Sequence, residues 1–425
     1  MFEAAKGKKL LIIGCETNIT NIVNEAKKMG VYTIVVERGT DIAKLPAKAV
    51  ADEAWDVDYS DMDTLEGLCR EHGVDGIMSG YSEGKVLWAA TLSQRMGMPF
   101  YVTPEQVEVT RNKRCFKALC EEHGVPIAKE YCANGHITDS ERDAVQYPVI
   151  VKPSDYGGRI GISVCWNREE LDKAIEKAES SSVSGTVVVE DYLHGTELMV
   201  IYTVVDGEIS LSLINDKYLS KEGNAYACLC DVAIAPTRFY DLYMETVDGP
   251  IRKMIQSLGM TDGIATFQFI ANPQKIVAFE MGLRLNGGND WKVLDACNGI
   301  NYMQMLIHHS LTGSMGGDLG KDNPLLGEYM STYVVYAHGG EVGSFSYDGL
   351  EKCPEIIDIS PYAKPGKVVV DKGTTQQRVI SFKIRTATLE DMERVILHIQ
   401  ENVKMQNVDG ENMLFARFDT KRFFA

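Results

Sequence analysis

Short apolar runs alternate with amphipathic stretches over the first hundred residues. Lys9-Leu10-Leu11-Ile12-Ile13 reads as a buried strand ending in a turn at Gly14. Such a run is too short for a helix and suits a strand covered on both faces. Ile19, Ile22, Val23 and Ala26 follow at helical spacing, and Gly30 ends that helix. Residues 32–36 and 74–78 repeat the strand pattern. Strand, helix and strand in alternation imply a parallel sheet with right-handed crossovers. Residues 1–104 are therefore predicted to form a Rossmann-like α/β domain. Thr103-Pro104-Glu105-Gln106 opens the next unit as a capping box with Pro at the first helical position.

The pattern changes over residues 105–316. Residues 147–152 and 161–165 read as strands on either side of a Gly-rich loop. Asn167 caps a helix with Leu171, Ala174, Ile175 and Ala178 inward. Residues 186–190, 197–205 and 208–213 are further strands, the last two joined by the hairpin signal Asp206-Gly207. Mixed strands and helices of this kind mean α+β. Residues 328–425 form a third, strand-rich unit. It ends in Leu389, Met392, Val395, Ile396, Ile399 and Val403 at helical spacing. The expected linker is residues 318–323.

Composition narrows the class. The 45% hydrophobic and 24% charged content is that of an ordinary globular chain. No apolar run reaches the roughly 18 residues of a membrane span, and the N-terminus lacks a signal-peptide pattern. Ten Cys without a framework fit reduced thiols, so the expected compartment is cytoplasmic. A net charge of −17 argues against a nucleic-acid partner. A small phosphorylated ligand needs only a local basic pocket.

Three constellations carry candidate chemistry. The first follows Lys152: Pro153-Ser154-Asp155-Tyr156-Gly157-Gly158-Arg159-Ile160-Gly161-Ile162-Ser163. Glycines let backbone N–H groups converge on an anion, and a lysine adds a point charge. The alternative is a β-turn without a ligand. The second is Glu190-Asp191-Tyr192-Leu193 with Glu197, a strand running into a hinge. Such a hinge suits an adenine edge, and an ionised carboxylate accepts from ribose hydroxyls. The alternative is two acids on solvated strand ends. The third sets Gln268 and Glu280 at neighbouring points on one face of a hairpin through Asn272-Pro273-Gln274, followed by Arg284. Two hard oxygen donors suit Mg²⁺, and Arg holds a carboxylate or phosphate bidentately. The alternative is a buried Gln beside a structural acid–arginine pair. Gly14-Cys15-Glu16-Thr17 lacks the G-x-G-x-x-G fingerprint, which speaks against a dinucleotide site.

Taken in order, an Asn112-Lys113 helix start, Lys152-Pro153 with its flap, Glu190 to Glu197, Gln268, Glu280 and Arg284 resemble the ATP-grasp superfamily. Each motif alone is weak; five in register are specific. The resemblance covers nearly the whole chain. It implies a Rossmann-like pre-ATP-grasp domain, an ATP-grasp core with a Gly-rich lid at about 128–190, and a small C-terminal α+β domain. It implies ATP with Mg²⁺ or Mn²⁺, small carboxylate and amine substrates, and a possible homodimer. It gives Lys113 and Lys152 to the α- and β-phosphates. Ser154, Gly157, Gly158, Gly161 and Ser163 go to the flap, Glu190, Asp191, Tyr192 and Leu193 to adenine, and Glu197 to ribose. Gln268 and Glu280 would hold the metal, with Gln268 also contacting nucleotide. Arg284 and Lys152 would be catalytic.

One departure matters. The family usually has Asn two residues after the metal-binding Glu, and this chain has Gly282. Either Asn286 or a water replaces that ligand, or the second metal is held more weakly. Bicarbonate activation of the biotin carboxylase or carbamoyl phosphate synthase kind is an alternative, as is an ATP-binding module without catalysis. Glu16, Asn18, Glu83 and Arg378 are polar candidates for a substrate pocket, with nothing local to separate them from solvated surface.

Overall fold

Four parallel strands, β1 (Lys9–Ile13), β2 (Tyr32–Val36), β3 (Glu53–Trp55) and β4 (Gly76–Met78), lie in the order β3-β2-β1-β4. The computed structural model of the chain describes residues 2–41, 44–132, 135–154, 161–220 and 229–424. Strand β1 is central, and Leu10 to Ile13 are fully buried, as an apolar run between two helical layers requires. The chain leaves β1 toward β2 on one side and returns at β4 on the other. A crevice therefore opens at the carboxyl ends of β1 and β4, where open α/β sheets bind ligands. Helices Ile19–Lys28 and Glu83–Met96 begin there.

A second, small antiparallel sheet follows: β5 (Val149–Pro153), β6 (Ser163–Cys165) and β7 (Val187–Asp191), in the order β6-β5-β7. Helix Arg168–Ser181 lays Leu171, Ala174, Ile175 and Ala178 on Val149, Val151, Val187 and Val189. These residues, with Tyr131, Cys132, Ile137 and Cys165, form a hydrophobic core of their own.

The remaining strands are β8 (Thr196–Val205), β9 (Glu208–Leu219), β10 (Cys230–Ala235), β11 (Gly263–Asn272), β12 (Lys275–Gly282), β13 (Tyr329–Tyr336), β14 (Gly340–Ser346), β15 (Ile356–Pro361), β16 (Val368–Val369), β17 (Arg378–Thr386) and β18 (Lys404–Asn407). Eight of them make one sheet in the order β12-β11-β8-β9-β10-β13-β17-β15. This sheet crosses the expected linker, because β10 pairs with β13 from Val232 opposite Tyr333 to Ala235 opposite Met330. Helix Leu389–Asn402 buries Met392, Val395, Ile396 and Ile399, the stripe its spacing predicts.

Candidate active site

The site is built where the small sheet approaches the edge of the large one. The connection from helix Lys113–His123 bridges the two: Ile127 pairs with Ala278 of β12, and Glu130 pairs with Glu190 of β7. Lys152 leaves β5 beside β7, and its ammonium meets the Glu190 carboxylate. Lys117 donates to the other Glu190 oxygen at 2.7 Å and also pairs with Glu130. Glu190 is only 5% exposed. Burial alone would raise its carboxyl, but Lys152 and Lys117 hold it down at about 2. Two ammonium groups and two carboxylates, Glu190 and Glu130, balance in formal charge here.

The flap's described ends are anchored. Ser154 donates its backbone N–H to the Thr186 carbonyl at 3.1 Å. Gly161 has φ +77, a conformation that L side chains rarely adopt. The Ser163 hydroxyl accepts from Lys177 at 3.1 Å. Gly157 and Gly158 lie outside the described residues. Lys113 begins its helix just after the Asn112 cap, whose side chain accepts from the N–H groups of Arg114 and Cys115. Its ammonium reaches the Pro153 carbonyl at 3.0 Å, so Lys113 and Lys152 flank one turn.

Past Glu190 the chain stays beside β5 for one more pair, Asp191 opposite Val149. The Asp191 carboxylate accepts from the Tyr131 hydroxyl at 2.8 Å, and the Tyr192 N–H bonds the Pro148 carbonyl at 3.0 Å. The hinge through Leu193 leads to Glu197 at the start of β8. Glu197 is buried and faces Lys217 across the strand pair, at 2.8 Å. Lys217 also donates to Gln268 at 3.2 Å. Lys217 had no motif around it in sequence; it is legible only from the register that sets it opposite Glu197.

Gln268 on β11 lies directly opposite Glu280 on β12. Glu280 is about half exposed, and Arg284 stands 3.9 Å from it. Arg284 also donates its Nε–H to Glu83 at 3.2 Å. That acid opens helix Glu83–Met96 of the first unit. A Cβ placed on Gly282 would sit 3.2 Å from the same Glu83 oxygen, so a carboxylate from another unit fills the space left by the absent side chain.

The structure does not bring Asn286 to this pair. It is 5% exposed, its amide donates to Asp290 at 2.5 Å, and its oxygen accepts from the Asp290 N–H and the Tyr302 hydroxyl. A committed, buried amide is not a metal ligand. Among the described residues no group of three His, Cys, Asp or Glu could cage an ion. Gln268 and Glu280 supply two oxygens, which suits Mg²⁺ that takes its other ligands from phosphates and water. The donor set fits a phosphate-bridged metal and not an all-protein cage.

The family description "D-ala D-ala ligase C-terminus" matches residues 119–227. The 2-oxoglutarate carboxylase small subunit of Hydrogenobacter thermophilus is 25% identical over 231 residues, 50% of this chain and 46% of that protein. The biotin carboxylase of Halalkalibacterium halodurans is 28% identical over 204 residues, 43% of this chain and 44% of that protein. The chain thus spans less than half the length of these curated relatives. Among solved structures, the L-amino acid ligase from Bacillus licheniformis superposes with a TM-score of 0.76 at 18% identity, covering 95% of this chain and 99% of that one. Phosphoribosylglycinamide synthetase from Anaerococcus prevotii gives 0.77 at 15% identity, covering 94% and 99%. The fold is that of the ATP-grasp enzymes.

Proposed function

We propose that this chain, which has the ATP-grasp fold, is an ATP-dependent carboxylate–amine ligase that uses an amino acid as one substrate. The observation that carries the proposal is the Gln268–Glu280 cross-strand pair with Arg284 beside it, next to the Lys152–Glu190–Lys117 cluster. The γ-phosphoryl group of ATP passes to a carboxylate oxygen. The amine then attacks the acyl-phosphate carbon and phosphate leaves, giving an amide, ADP and phosphate.

The transfer needs charge neutralisation more than covalent help. Lys113 and Lys152 contact the nucleotide phosphates. Glu190 and Lys117 fix the Lys152 ammonium, removing its rotamer freedom before the nucleotide arrives. Arg284 steadies the carboxylate or the acyl-phosphate through its guanidinium fork. Gln268 and Glu280 would hold Mg²⁺, which would neutralise phosphate charge when bound. Glu197 takes the ribose, and the 190–193 hinge lines adenine. An acyl-phosphate hydrolyses in water, so a small unit that closes over the site protects it.

The test is ADP and phosphate release from Mg-ATP against pooled amino acids and small carboxylates, with Glu280→Ala as control. Release that needs a pool and is lost in the variant supports the ligase. ATP bound without turnover under every pool overturns it. A second reading, bicarbonate activation, draws on the resemblance to biotin carboxylase. ADP release that depends on bicarbonate alone would favour it.

A further inference from the structure

A cavity of about 630 Å³ is lined by Thr196, Arg238 and Asn272, and a second one of about 560 Å³ sits above the carboxyl ends of β1 and β4. Its walls come from two units: Glu16, Ser82 and Lys85 on one side, Tyr362, Lys367 and Arg378 on the other. Charge is segregated between them. On the first wall Lys85 pairs with both Glu16 and Glu37, so two carboxylates share one ammonium. The Glu16 side chain stays 58% exposed.

On the second wall the cations have neutral partners: backbone carbonyls and, for Arg378, the Tyr336 and Tyr362 hydroxyls. Lys367 donates to the Tyr362 carbonyl at 2.7 Å, and Arg378 to the Gly287 carbonyl at 3.3 Å. Neither makes an ion pair with a carboxylate among the described residues. The Nε of Arg378 is buried without a hydrogen-bond partner. Its guanidinium lies 5.2 Å from the Tyr362 ring centre. Burial alone would raise the Tyr362 phenol, yet Arg378 brings it below its ordinary value. Burial also pushes the Lys367 ammonium down. Both side chains are half-buried, and a half-buried cation without a counter-charge is favourable ground for a ligand anion. A guanidinium fork suits a carboxylate. The Gly287 contact ties this wall to the turn that follows Arg284.

We infer that this cavity takes a small amino-acid-like zwitterion, its carboxylate on Arg378 and Lys367 and its ammonium on Glu16. The inference deepens the ligase reading, on which it rests for the reaction though not for binding.

Saturation-transfer NMR and calorimetry with pooled L-amino acids, in the presence of Mg-ADP, test it. At least one amino acid binds the wild-type chain, and its α-carboxamide binds on the order of 10-fold more weakly or worse. Arg378→Met weakens that amino acid by about 10- to 100-fold, Lys367→Met and Glu16→Gln by about 10-fold, each with Mg-ADP affinity within about twofold. Equal affinity in Arg378→Met and Lys367→Met, equal binding of the carboxamide, or no binding by any pooled amino acid overturns the inference. The two readings fail separately. ADP release with an unchanged KM for the amino acid in Arg378→Met keeps the ligase and discards the cavity. Binding lost in Arg378→Met, with no ADP formed under any pool, keeps the cavity and discards the ligase.

Discussion

Lys152 and Glu190 meet as a buried ion pair between antiparallel strands β5 and β7, and the second Glu190 oxygen is held by Lys117. A pair this dry is worth little relative to apolar packing, but losing one partner strands the other charge. Glu190→Gln is therefore expected to cost about 3–5 kcal/mol of stability at neutral pH. The Glu190 carboxyl is depressed from 4.5 to about 2, against the direction of burial, by the two lysines. A depressed acid stabilises the fold above its unfolded value and loses that contribution as pH falls through the folded one. Wild-type stability should thus fall by about 3 kcal/mol between pH 4.5 and 2 on this group's account. Urea unfolding from pH 7 downward checks it: the variant starts lower and shows a shallower slope. Parallel profiles would mean that Glu190 does not titrate as the pair requires.

Glu280→Ala and Lys152→Met should each lower turnover on the order of a hundredfold or more, if each removes one electrostatic contact to the reacting phosphates. They should differ in cause. Added Mn²⁺ partly rescues a weakened metal site, so Glu280→Asp recovers activity at high Mn²⁺, whereas Lys152→Met does not respond. Chelation abolishes wild-type turnover. Titration of rate against Mn²⁺ for the wild type, Glu280→Ala, Glu280→Asp and Lys152→Met is the measurement.

Gly282 and Glu83 occupy one another's space. The nearest atom to an added Cβ is the end of a flexible side chain, so the backbone tolerates Gly282→Ala. A glycine in a strand is itself mildly unfavourable, so Tm should hold or rise slightly. The new methyl nevertheless displaces Glu83 and loosens its 3.2 Å bond to Arg284. A drop in kcat of about 10-fold with an unchanged melting temperature is expected, if the lost bond only misorients Arg284. A variant as active as wild type would mean that Glu83 does not position Arg284.

Much of this arrangement was legible in the sequence, and the exceptions have physical causes. Local periodicity predicts β1, the helix after it and the stripe of Leu389–Asn402, because each depends only on neighbours along the chain. The closeness of Gln268 and Glu280 was legible from the hairpin, but their direct pairing was not: the turn's register would set Gln268 opposite Phe279, and a bulge at Phe279 brings Glu280 across instead. Lys117, Lys217 and Lys383 were not legible either, because each acquires its meaning from a residue 20 to 93 positions away. Asn286 misled for a different reason: it was offered in place of the Asn that Gly282 lacks, while Asp290, four residues on, turns the amide inward. The continuity of the large sheet across residues 318–323 was also hidden, since a linker composition says nothing about what pairs on either side.

Lys383 offers the sharpest test of how the last unit supports the site. Its ammonium is 2% exposed and spends its donors on the Gly288 carbonyl at 2.6 Å, the Asp290 carboxylate at 3.1 Å and the Thr332 hydroxyl at 2.5 Å. Asp290 in turn holds Asn286, so one lysine on β17 fixes the turn that follows Arg284. Burial pulls the Lys383 ammonium below its ordinary value, with Asp290 opposing. Lys383→Met leaves Asp290 buried without its cation, and should cost about 3–5 kcal/mol. Adding Asp290→Asn removes the stranded charge, so the double variant should be more stable than Lys383→Met alone. A double-mutant cycle by denaturant unfolding reads this coupling, expected at 2 kcal/mol or roughly more for a desolvated pair. Additive losses would show that the two residues act separately, and that the turn is held by its own backbone.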